Sequence, residues 1–253
     1  MNTRKLSLLL AVVLTVGVAA GAHAAPGIVG GVKLKGVDPA VYMQKRNHKP
    51  DVVSELRKLP ADVAIAVLAD PRAFLADEAG YPAGLKPEAI AALRDTEVRA
   101  LLQGALSSLA LRKDDQAFEV LQRHTQHADI AVAAVAAERL GLLDDHRVVG
   151  ALAAIAADDA RITVAAAAAA GLGNHRSENS LDALVQLLSS SSPEVRVAAV
   201  RAIGSLTSRW AWEARADTAT GNQLRARALP AVQAVKGNAD VVAARDEILR
   251  LMR

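Results

Sequence analysis

The stretch that decides the fold is "RITVAAAAAAGLGN", residues 161–174, which carries six consecutive alanines from Ala165 to Ala170. A bilayer crossing needs about 20 apolar residues, so this run is too short and too weakly apolar to be one. Alanine is also the best helix former, which excludes a flexible linker. Nearly two turns of helix with side chains this small must lie where neighbours come close on almost every side.

Three other stretches share its pattern. "VRALLQGALS" begins at Val98, "VAAVAAERLG" at Val132, "VAAAAAAGLG" at Val164 and "VRVAAVRAIG" at Val195, so the valines are 34, 32 and 31 residues apart. Eight positions after each valine stand Leu106, Leu140, Leu172 and Ile203, and the ninth position holds Ser107, Gly141, Gly173 and Gly204. A fixed period of this length is the signature of a repeat array. Each copy reads as a first helix with apolar spacing i, i+3, i+4. Asp95, Asp129 and Ser192 are placed to cap the amino ends, with Pro193 and Glu194 suited to the opening turn. The recurrent glycine is expected to stop the helix where the chain turns. Second helices are expected at about 115–127, 147–157 and 181–189, anchored by Leu121, Leu152 and Leu184. Helix, turn, helix and loop, repeated, predict an all-α class: an α-solenoid of stacked helix pairs.

"SSPEVRVAAVRAIGSL" (191–206) and "HADIAVAAVAAERLGLLDD" (127–145) resemble the HEAT-like repeat of the phycobilisome-lyase type. The resemblance covers residues 95–206. It implies a binding protein in most cases and a chromophore-attaching enzyme in a minority. The arginine that follows the valine in that pattern is present as Arg99 and Arg196 but replaced by Ala133 and Ala165, so no continuous arginine ladder is expected. Metal-dependent HEAT-repeat hydroxylases use His-Glu dipeptides, and none of the six histidines here precedes a glutamate.

The flanks divide the rest of the chain. Residues 1–24 read as a secretory signal: Arg4 and Lys5, an uncharged apolar stretch from Leu6 to Ala20, and Ala22-His23-Ala24 before the cut. Residues 25–50 read as an N-terminal extension, disordered until bound. Residues 51–94 form a degenerate N-terminal cap with helices at 51–59, 61–70 and 86–95. Residues 95–206 hold four repeat units, the last continuing beyond, and residues 207–253 supply closing helices at 222–235 and 239–253. The compartment expected is periplasmic or secreted, with no stable membrane insertion after cleavage. A chain with no cysteine must then hold together by packing alone.

Without the signal, 28 basic residues face 27 acidic ones. Residues 61–208 carry 13 basic and 19 acidic groups, between two basic ends. A nearly neutral exported chain does not suit nucleic acid. No nucleophile motif appears, since the chain lacks Gly-x-Ser-x-Gly and cysteine, no Gly-Lys dipeptide offers a phosphate loop, and no cofactor or metal is expected. His124 and His127 have i, i+3 spacing, but two imidazoles alone make a weak metal site. The turns 114–115, 144–146 and 174–178 would stack as an acidic edge, with helix capping as the plainer role. In a solenoid the second helices line the concave face, so Gln116, Glu119, Arg123, Arg147, Asp182 and Gln186 are the expected protein-binding residues. Arg209, Trp210, Trp212 and Arg215, in "SRWAWEAR" where the repeat breaks, form a second candidate patch, because tryptophan and arginine dominate interface hot spots. The function expected is a non-catalytic exported scaffold binding another protein. The alternatives are a chromophore-lyase-like enzyme and a regulator or inhibitor of an exported enzyme.

Overall fold

The computed structural model describes residues 28–29, 32–33, 59, 61–74, 86–111 and 116–252. The signal segment, the helix expected at 51–59 apart from Leu59, and Asp114-Asp115 lie outside the described residues. Within the extension, β1 (Ile28–Val29) pairs antiparallel with β2 (Val32–Lys33). The remaining elements are helical: α1 (Ala61–Ala69), a 3-10 turn (Pro71–Phe74), α2 (Pro87–Ala110), α3 (Ala117–His124), α4 (Ile130–Leu140), α5 (Val148–Ala156), a 3-10 turn (Asp159–Arg161), α6 (Ile162–Asn174), α7 (Glu178–Leu187), α8 (Pro193–Leu206), α9 (Arg209–Glu213), α10 (Thr218–Ala234) and α11 (Ala239–Leu251).

They form an α-solenoid with two rows. The first helices α2, α4, α6, α8 and α11 pack side by side in that order. Behind them, α5 packs beside α7 and α7 beside α10, with α3 packed on α4 ahead of them. Thus α10 takes the place of the second helix of the fourth pair, and α11 is a further first helix rather than a loose cap. It carries Asp246, Glu247 and Arg250 exposed on its outer side.

Two capping expectations hold: the Asp129 carboxylate accepts from the amides of Ala131 and Val132, and the Ser192 hydroxyl from that of Val195. The third does not. No break occurs at Asp95, because residues 88–103 contain neither glycine nor proline and α2 runs on for 24 residues. Asp95 instead accepts a bond from Arg72 at 2.8 Å on the exposed side of α2. The second helices match their expected positions, and Leu121, Leu152 and Leu184 are fully buried.

The repeat glycine has a different role from the one expected. Gly141 caps α4 with φ −67°, while Gly173 and Gly204 lie inside their helices. None of the three needs a left-handed backbone. They are small because the next first helix touches them. A methyl carbon on Gly141 would lie 2.0 Å from the Gly171 carbonyl oxygen of α6. One on Gly173 would lie 2.8 Å from the Ala202 backbone of α8, and one on Gly204 would lie 2.4 Å from Ile248 Cδ1 of α11. From α4 onward one glycine therefore sits at each successive crossing of the first row, while the α2–α4 crossing has Ser107 at that position. The alanines follow from the same closeness: Ala165, Ala168 and Ala169 are buried, Ala166, Ala167 and Ala170 half-buried. In such a core, close dispersion contacts between backbones stand in for bulky side chains.

Gly141→Ala is expected to destabilise the fold by about 1–3 kcal/mol in a denaturant titration, because its methyl group meets backbone that must move. Gly204→Ala should cost much less, since the Ile248 side chain can rotate away and alanine favours the helix by about 1 kcal/mol. Within the alanine run, Ala168→Leu should cost about 1–3 kcal/mol and clearly more than Ala167→Leu, a ranking that thermal melts would check.

Candidate protein-interaction surface

The second-helix row carries most of the polar residues singled out above, and the fold engages them with one another. Arg147, at the amino end of α5, donates from Nη1 to Glu119 Oε1 of α3 at 2.6 Å and from Nη2 to Asp145 Oδ2 at 2.7 Å. Its guanidinium carbon also lies 4.0 Å from the centre of the Phe118 ring, a cation–π contact. Further along the row, Arg227 of α10 donates to Glu178 at 3.0 Å and to Asp182 at 2.6 Å, tying α10 to α7. Glu119, Arg147 and Asp182 are therefore links between neighbouring elements as well as surface groups. Gln116, Arg123 and Gln186 are exposed on the same row. Arg227 escaped the sequence reading because residues 207–217 are inserted between α8 and α10. That insertion destroys the register that would align α10 with the other second helices.

Between these two charged clusters the row is bare. α5 contains no charged residue, and it exposes Gly150 and Ala154 one turn apart. Among the described residues a methyl group on Gly150 would meet nothing within 4 Å. Beside this stripe a groove of about 310 Å³ runs between α3 and α5, lined by Gln122 and Gln126 on one wall and Ala151, Ala154 and Ile155 on the other. Arg161 closes one end. It donates to the carbonyls of Thr125 at 2.7 Å and His127 at 2.8 Å, fixing the last turn of α3 against the start of α6.

His124, His127 and Asp145 serve local structure. His124 Nδ1 lies 2.7 Å from the Val120 carbonyl and so carries its proton there. His127 Nδ1 accepts the Asp129 amide at 3.0 Å, which leaves the proton of the neutral ring on Nε2. A cation at His127 would have to displace one of these. Asp129 is likewise committed, to α4 and to Arg99 at 2.6 Å. Among the described residues no group of three or more metal-ligating side chains comes together. Asp145 meets Arg147, and Ser177 caps α7 through the Ser180 amide. Of the described turn residues, Asp145 and Ser177 are thus occupied with capping.

The second patch divides. Trp212 is buried, its Nε1 donating to the Leu206 carbonyl at 2.6 Å while its ring covers Gly221 of α10. It fills the step that the insertion leaves between α8 and α10, so its expected place on the binding surface is corrected to the core. Trp210 is 76% exposed, and Arg215 is exposed beside it in the chain. Arg209 heads α9, and its side chain lies outside what is described. No helix among the described residues is long and apolar enough to cross a membrane.

With the pairs and rows in place, comparison with known proteins agrees on the class. A family model for HEAT repeats matches residues 151–235, from within α5 through α10. The match runs across the α9 insertion, as expected if α8 and α10 belong to one unit. Residues 151–235 are thus similar to HEAT repeats, and the chain is built as a helical solenoid. No curated protein matches the chain.

The Arg147 cluster gives a pH test. Hydrogen bonding from Arg147 pulls the Asp145 carboxyl down to about 2, and the same guanidinium lowers Glu119. A carboxylate favoured by the fold stabilises it above the ordinary value near 3.9 and loses that contribution as pH falls through about 2. Carbon-detected NMR titration should show Asp145 ionised well below pH 3.9. Arg147→Gln should return its midpoint towards that ordinary value.

Proposed function

We propose that this chain is an exported, non-catalytic scaffold that binds another protein along its second-helix face, with repeats of the phycobilisome-lyase type of HEAT. The observation that carries this reading is Gly150. A glycine in an exposed helix interior weakens the helix by roughly 0.5–1 kcal/mol relative to alanine, and among the described residues nothing presses on it. Close approach of a partner's backbone supplies a reason for its presence. The uncharged α5 stripe, the carboxamides of Gln122 and Gln126, and ion pairs on either side fit such a contact. The apolar centre is flanked by charges already satisfied, so docking there strips few unpaired charges of water. Arg123 and Gln186 extend the face beyond α5. HEAT repeats most often serve as protein-binding surfaces, which supports the same reading.

Gly150→Ala is expected to raise stability by about 0.5–1 kcal/mol while weakening partner binding. The mature chain starting at Ala25, used as bait in the exported fraction, should retain a defined protein. Ala154→Arg should weaken that complex at least tenfold by about the effect of losing one interface anchor. Ala243→Arg, on the exposed side of α11, should leave it intact. A retained pigment without protein, or a partner indifferent to Ala154→Arg, would overturn the reading. Mass spectrometry of the exported protein checks the export assignment: an N-terminus at Ala25 agrees with it, and a retained Met1 refutes it.

A further inference from the structure

The polar groups of the groove between α3 and α5 differ in what they leave a partner to bond. Thr125 spends its hydroxyl on the Gln122 carbonyl at 2.7 Å. Arg161 has both Nη atoms on chain carbonyls, and its Nη1 also donates to Gln126 Oε1 at 3.3 Å. That last bond decides which way the Gln126 carboxamide faces. Its oxygen is held by the guanidinium, so its Nε2 protons are left for a ligand. Gln122, exposed one turn earlier, makes no side-chain hydrogen bond among the described residues and offers both a donor and an acceptor. Asp158 lines the groove at the end that Arg161 closes. Its Oδ1 accepts the Ala160 amide at 3.0 Å, but the exposed carboxylate enters no ion pair among the described residues.

These free groups match one kind of occupant. Four residues of helix advance about 6.0 Å, so Gln122 and Gln126 stand that far apart along α3, as do Gly150 and Ala154 along α5. An extended chain repeats its main-chain groups on one side, and its alternate side chains, every two residues, about 6.4–6.8 Å. Both pairs therefore run at nearly the pitch of a strand. A helical occupant would leave the carboxamides unmatched, because its own amides and carbonyls are paired within the helix. Charge selects the end. Arg147 is paired with Glu119 and Asp145, the Arg161 donors are on carbonyls, and Arg123 lies outside the lining. Asp158 is thus the lining charge left to meet a partner, and its complement is a cation. We propose that the groove binds an extended main-chain segment of a partner protein, held by the Gln122 and Gln126 carboxamides. Small uncharged side chains of that segment pass over Gly150 and Ala154, and a lysine or arginine meets Asp158.

This names the kind of segment bound and rests on the scaffold reading, from which its test is separable. Random short peptides, displayed and panned against the immobilised full mature chain, should yield sequences in which small uncharged residues lead to a lysine or arginine. Their synthetic forms should lose binding to Ala154→Arg. Gln122→Ala and Gln126→Ala should each weaken them about three- to ten-fold, the effect of one hydrogen bond. Replacing peptide amides by esters one at a time should find a position that weakens binding to the parent chain and has no further effect on Gln122→Ala. Asp158→Asn, which can still cap the Ala160 amide, should remove the preference for lysine and arginine. Ala243→Arg should change nothing. No peptides, peptides indifferent to Ala154→Arg, esters tolerated at every position, or no preference for a basic residue would overturn the proposal. Peptides that turn helical on binding, by circular dichroism, would overturn it in favour of a helical segment. A chain whose self-association is lost on Ala154→Arg would assign the groove to a second copy. If a captured partner protein depends on Ala154 while no peptide does, the scaffold reading stands and this inference falls. A partner held equally well by Ala154→Arg sinks both.

Discussion

The approach of Gly141 to the Gly171 carbonyl, too close for even a methyl group, is the contact on which the other features depend. It sets how near α4 and α6 lie, and Gly173 against Ala202 repeats the condition one crossing later. Helices this close leave no room for large side chains between them, so the first row is built from alanine, valine and leucine. That explains a core with only two phenylalanines and two tryptophans in the whole chain. The cost of such a core is that each contact is small. Stability has to come from many of them, without a disulfide to help.

A row spaced by backbone contact is also periodic, and the departures from periodicity are where other roles enter. The insertion after α8 would leave a gap beside α10, which Trp212 fills by covering Gly221. The same segment then presents Trp210 to solvent. At the far end, α11 meets Gly204 through Ile248, whose flexible tip accommodates the last crossing, and its charged residues turn outward. The second row is spaced by longer side chains instead. Arg147 and Arg227 bridge neighbouring elements there, and α5, lacking charges, lies bare between the two bridges.

This division explains why the candidate residues were only partly legible. Glu119, Arg147 and Asp182 were identifiable as second-helix surface residues from their place in the repeat. That they pair across elements was not, because an exposed polar residue looks alike whether or not a partner stands opposite. Arg227 and Gly150 gave no local signal at all. The first is displaced from the period by the insertion, and the second is an ordinary glycine until the space around it is known. Trp210 and Trp212, two residues apart, have the same sequence context and opposite fates, since only the position of α10 decides which ring is covered.

The sequence by itself determined most of the helices, their order, the period and the α-solenoid class, because spacing, capping residues and alanine content act locally along the chain. It also determined that Asp129 and Ser192 begin helices, since each capping bond spans only two or three residues. Tertiary structure alone decided what the repeat glycine does. A glycine near a helix end reads as a stop, yet for Gly141 and Gly173 the reason for smallness lies about 30 residues away, in the backbone of the next first helix. It likewise decided that Asp95 would sit in mid-helix, that α10 rather than a cap completes the fourth pair, and which tryptophan meets water. Each of these depends on distances between segments remote in sequence, which packing fixes and no local pattern encodes.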